Sequence, residues 1–136
     1  MKETFRHLIA LALQLSVIAL PALAHHSFGA DYDASKPITL QGTVTKIEWM
    51  NPHVRFYLDV RDPSGKVTNW AFELGSPNTL MRSGWRRDSL KPGDEITVKG
   101  SRAKDSSNQG NATSILSRDG KIVLSGVSGG GNLVAR

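Results

Sequence analysis

The sequence predicts a mainly β protein: a small OB-fold-like β-barrel of five to six strands, with one short helix between strands three and four. Three observations lead there. Apolar residues recur at every second position in several short stretches. Clusters of Pro, Gly, Asn and Asp separate those stretches, as turns separate strands. The only change of period toward helix falls after the third stretch, which is where an OB-fold plugs one end of its barrel. A two-sheet sandwich that does not close has the same periodicity and stays open as the alternative.

The chain has 136 residues. Residues 1–24 read as a secretory signal. Lys2 and Arg6 give a positive start, residues 8–20 are mostly apolar, and Pro21 precedes Ala22-Leu23-Ala24, an A-x-A cleavage site. The apolar run is 13 residues long and contains Gln14 and Ser16. That is short for a membrane span. Cleavage after Ala24 leaves 112 residues (136 − 24), enough for one domain with one core. The sequence contains no cysteine, so disulfides and thiolate ligands are excluded.

The elements then follow in order. Residues 25–37 are polar and are expected to form an N-terminal arm; residues 38–124 are the barrel. In the first strand Ile38, Leu40, Gly42 and Val44 alternate, after which the apolar phase moves to Ile47 and Trp49. A one-residue shift in a period-two pattern predicts a bulge at Thr45-Lys46, or a bend at Gly42, in a strand over residues 38–49. Asn51-Pro52 marks a turn. Val54, Phe56, Leu58 and Val60 face inward on strand two, with Arg55, Tyr57 and Asp59 outward. Asp62-Pro63-Ser64-Gly65 is a hairpin turn, and Trp70, Phe72 and Leu74 alternate after it.

Ser76 suits an N-cap, Pro77 a first helical position and Gly84 a helix stop, which predicts one short helix over residues 76–83. Lys91-Pro92-Gly93-Asp94 turns the chain into strand four at Ile96 and Val98. A polar loop over residues 104–110 leads to strand five, over residues 112–117. Arg118-Asp119-Gly120-Lys121 is the last hairpin signal, and residues 125–136 are a Gly/Ser-rich tail expected to be flexible.

The segments HHSF, ITLQGTVTKIEWMNPH, NWAFELGSP, GWRRDSLKPGD and ITVKGSRAKD resemble a family of small exported bacterial proteins, domain-of-unknown-function family 6152. The resemblance covers residues 25–124. It implies export and a small β-barrel, and brings no established activity with it.

Function has to be read from residues. With Lys2, Arg6 and Glu3 removed, the net charge is +4 (15 basic minus 11 acidic). In an exported chain that balance favours small anions or anionic surfaces, and no DNA partner is expected. The processed chain keeps three histidines, His25, His26 and His53. An N-terminal histidine chelates copper through its amine and Nδ1 together, and one further imidazole completes a nitrogen-rich site suited to Cu(II). Zinc would need a fuller tetrahedral ligand set than the sequence supplies. Terminal histidines also occur merely solvated.

Arg55 and Tyr57 are the outward pair that would stack on a sugar or base, or else form an ordinary cross-strand surface pair. Trp85, with Arg86 and Arg87 beside it, is either a partner anchor or a residue packed beneath the barrel. No G-x-S-x-G, H-E-x-x-H or Gly-rich phosphate loop is present. Ser27, His26 and Asp31 lie on the arm, where catalytic geometry is not held. The resulting expectation is a non-enzymatic, periplasmic small-ligand-binding protein that does not span the membrane, with Cu(II) at His25, His26 and His53 as its sharpest form. A structural or protein-interaction module of the cell envelope, using the barrel face or the Trp85 patch, is the alternative. An oligosaccharide or oligonucleotide binder is a further one.

Overall fold

A computed structural model describes residues 31–125. The expected signal peptide, His25, His26 and all of the tail beyond Ser125 lie outside the described residues. Six strands and one helix occur in the predicted order: β1 (Tyr32–Glu48), β2 (Arg55–Arg61), β3 (Val67–Glu73), α1 (Pro77–Arg82), β4 (Glu95–Ala103), β5 (Gln109–Ser117) and β6 (Ile122–Ser125). Across the sheet the order is β3-β2-β1-β4-β5-β6, and β3 pairs again with β5. The sheet therefore closes into a ring, as the OB-like prediction requires, and the open sandwich is set aside. Every pairing is antiparallel except that between β3 and β5, which is parallel.

The long first strand makes the ring possible. Its C-terminal half pairs with β2 and its N-terminal half with β4, so one strand serves both sides. The two partnerships overlap at Thr43, which is opposite Asp59 on one side and Glu95 on the other. Register slips between Val44 and Lys46, at the bulge that the change of apolar phase predicts. Gly42 sits just before it, where a Cβ would stand 2.3 Å from the Asp59 carbonyl oxygen. Only a residue without a side chain lets β1 and β2 approach so closely.

Strand β1 begins earlier than the sequence pattern indicates. Tyr32 and Asp33 already pair with Ala103 and Arg102, followed by an irregularity before Pro37 resumes the ladder. The last part of the expected arm is thus strand, and the arm proper ends at Asp31.

The hairpin at residues 62–65 is tied by Asp62, whose Oδ1 accepts from the backbone of Ser64 and Lys66, with Gly65 at φ +87°. Helix α1 starts as predicted. Ser76 Oγ accepts from the Thr79 amide at 3.3 Å, Pro77 opens the first turn, and Gly84 at φ +89° ends the segment.

Inside the ring, Phe56 and Phe72 stack with centroids 5.3 Å apart, among Val44, Leu58, Ile96, Val98 and Ile115. Leu80 of α1 and Trp85 belong to the same buried cluster. Trp85 is only 6% exposed, and its Nε1 donates to the Val123 carbonyl at 2.8 Å. The partner-anchor reading of Trp85 is corrected here: its ring is core and its polar edge is spent on β6.

Candidate functional site

His53 follows the Asn51-Pro52 turn, immediately before β2. Its Nδ1 lies 2.8 Å from Glu73 Oε1, at the end of β3. The other oxygen of Glu73 accepts from Arg55 Nη2 at 3.0 Å, and Tyr32 donates to it in a longer contact of 3.4 Å. Three segments that are remote in sequence thus meet on one carboxylate. The hairpin explains part of this, since β2–β3 register sets Arg55 opposite Glu73. Strand β1 brings Tyr32 in from the other side of the ring.

The chemistry of this cluster is that of an oriented imidazole. The contact to Glu73 is made through Nδ1, so it engages one ring nitrogen and leaves the other, Nε2, for another partner. Metal-ligating imidazoles commonly have such a carboxylate contact, which fixes the ring, and ordinary surface ion pairs make it too. The side chain of His53 is 38% exposed and that of Glu73 14%, so a covered carboxylate positions an accessible ring. Among the described residues, no three His, Asp or Glu side chains converge as a complete metal set. His25 and His26, the other two residues of the expected site, lie outside the described residues.

The strand extension changes the distance those histidines would have to bridge. Asp31 lines a cavity of about 260 Å³ with Tyr32, Arg55 and Glu73. The chain therefore leaves the barrel beside the His53–Glu73 pair. His25 lies six positions before Asp31 (31 − 25), a reach of at most roughly 20 Å.

Burial and the neighbouring Glu73 push the Tyr32 phenol up from its ordinary 10.0 to about 12. The folded chain holds this proton more tightly than an unfolded one. The stability it contributes is complete below pH 10.0 and is lost as pH rises through about 12. Denaturant midpoints should fall across that window in the native protein, and Tyr32→Phe should remove this part of the fall. A variant with the same alkaline profile as the native chain would rule out this group as the cause.

Arg55 and Tyr57, read either as a stacking pair or as a cross-strand surface pair, are both engaged. Arg55 is held by Glu73, while the Tyr57 hydroxyl donates to Glu48 at 3.0 Å. The Lys46 ammonium sits 5.3 Å from the Tyr57 ring centre, and with Tyr57 it holds the Glu48 carboxyl below the usual range. The face is a surface ladder across β1, β2 and β3, which favours the cross-strand pair over the nucleic-acid or sugar platform. Arg86 and Arg87 are exposed, directly after the buried Trp85.

Glu73 was not among the residues the sequence singled out, because it occupies an outward position on β3. Even pairing back from the Asp62-Pro63-Ser64-Gly65 turn would set Phe72 opposite Arg55; the loop is one residue longer, with Arg61 opposite Val67, and that shift brings Glu73 there. Among the described residues no helix is long and apolar enough to cross a membrane. Residues 12–113 match a protein-family profile described as a Family of unknown function (DUF6152). No curated protein and no solved structure matches the chain.

Proposed function

The chain belongs to that family of unknown function, whose description assigns no activity, and from the residues themselves we propose that it is an exported, non-enzymatic protein that binds Cu(II) through its processed N-terminus and His53. The observation that carries this reading is the 2.8 Å contact between His53 Nδ1 and Glu73, which holds a partly exposed ring by one nitrogen. The exit of the chain at Asp31, beside the same pair, supports it. The ligands would be the α-amine and Nδ1 of His25, with Nε2 of His53 or the imidazole of His26 as the third nitrogen. Export, with cleavage after Ala24, is part of the proposal, because an extended terminus has no free amine at His25.

The test compares two chains, one beginning at His25 and one carrying a single additional residue, each with its terminus verified by mass. Titration with Cu(II) should show at least roughly tenfold weaker binding by the extended chain, with nitrogen hyperfine structure in the spectrum of the native-terminus form. Glu73→Gln should weaken binding by roughly tenfold or more, through loss of the orienting carboxylate. Affinity should fall as pH drops, since protons compete for the amine and imidazoles. Equal binding by the two chains would show that the amine is no ligand and would end the proposal.

A further inference from the structure

A further hollow has neither His53 nor Glu73 in its lining. The loop after β1, helix α1 and residues 86–88 line an open surface hollow of about 610 Å³, with Trp49, Met50 and Met81 among its lining residues and Arg86 and Arg87 also lining it. Three features set it apart from the rest of the surface. Met50 is 57% exposed and Met81 47%, and they are two of the four large apolar side chains that the described residues expose. Trp49 is only partly buried, packed against the core, so it adds an aromatic wall. The charge is the third feature.

Seven arginines lie among the described residues. Arg55 and Arg118 are paired with Glu73 and Glu95. Arg61 donates to the Gly65 carbonyl, and Arg102 to the carbonyls of Ser106 and Ser107. The remaining three, Arg82, Arg86 and Arg87, have no side-chain partner among the described residues. They cluster within six positions, and two of them line the hollow, where Asp88 is the one acid among the lining residues.

Unpaired guanidinia beside exposed thioethers and an indole specify a ligand with two ends. Guanidinium recognises a carboxylate through paired N–H donors, and methionine adapts to apolar groups of varied shape. Thioethers are also soft metal ligands, but two cations among the lining residues oppose a metal ion in this hollow. We propose that the hollow binds an amphiphilic monocarboxylate, its carboxylate on Arg86 and Arg87 and its apolar tail on Trp49, Met50 and Met81. The volume falls within the range of small-molecule sites. The mild positive balance of the chain points the same way. This site does not depend on copper binding.

The test titrates the full chain with decanoate, decanol and decyltrimethylammonium, followed by calorimetry and tryptophan fluorescence. Decanoate should bind with one-to-one stoichiometry, decanol at least roughly tenfold more weakly, and the ammonium compound not measurably. The double variant Arg86→Gln, Arg87→Gln should lose roughly tenfold in decanoate affinity and leave decanol unchanged. Both side chains are exposed and unpaired, so its unfolding midpoint should match that of the native chain. Met50→Ser with Met81→Ser should weaken both ligands. Equal binding of decanoate and decanol, or undiminished decanoate binding by the arginine variant, overturns the proposal. Preferential binding of an acidic peptide, or dimerisation that excludes decanoate, overturns it as well.

Discussion

Trp85→Ala is expected to cost about 3–5 kcal/mol of folding stability, the cost of deleting a large buried ring. The residue is part of the core at 6% exposure, and its indole donates to β6. Truncation would therefore leave a cavity beside Leu80 and orphan the Val123 carbonyl. Domains of this size are stable by only about 5–15 kcal/mol, so the loss is a large share of the whole. Urea unfolding should show a sharply lowered midpoint. Trp85→Phe should fall between, because it keeps most of the ring volume and loses one hydrogen bond worth about 1 kcal/mol, together with some cost for the unpaired carbonyl. An unchanged midpoint for Trp85→Ala would mean that the ring is not core.

A comparable loss is expected at two glycines that bear no charge and touch no ligand. A Cβ at Gly42 would meet the Asp59 carbonyl oxygen at 2.3 Å, and one at Gly100 would meet that of Asn111 at 2.0 Å. In each case the obstacle is backbone of a neighbouring strand, which cannot swing aside as a side chain does. Gly42→Ala and Gly100→Ala should each cost about 3 kcal/mol, the upper end of overpacking penalties. Gly65 is the control. It turns at φ +87° in open space, a conformation that asparagine tolerates. Gly65→Asn should therefore move the midpoint far less than either alanine. Neutral behaviour at Gly42 would show that β1 and β2 do not approach as closely as described.

Both glycines bear on what the sequence made legible. The bulge at Thr45 could be read in advance because burial on one face is periodic, and a slip in the pairing must appear as a slip in the apolar phase. Helix α1 could be read because its cap, its first-turn proline and its terminal glycine are local chemistry. What escaped was pairing without alternation. Tyr32 and Asp33 extend β1 through a polar stretch, and the irregularity before Pro37 interrupts any pattern that would reveal it. Gln109 and Gly110 belong to β5 although they read as loop, because the space over Gly110 is filled by Phe72 and Ile38. The candidate site divides along the same line. His53 stands out by residue type alone. Glu73, which orients it, looks like any outward acid until the cross-strand register is known. For Trp85, sequence allowed both core and surface, since a lone tryptophan after a helix has no periodicity to assign it.

The parallel contact between β3 and β5 has a temporal consequence. Ala71 meets Gln109, which is synthesised 38 residues later (109 − 71). Hairpins such as β2–β3 can form as soon as they emerge, but the last seam waits for nearly the entire domain. Contacts so distant along the chain demand loop closure before they give anything back, and they slow the final step. Until β5 exists, β3 has an unsatisfied edge and Phe72 has no lid. A nascent chain of this design cannot close its ring until β5 has been made. It becomes a closed object only when almost all of it has arrived.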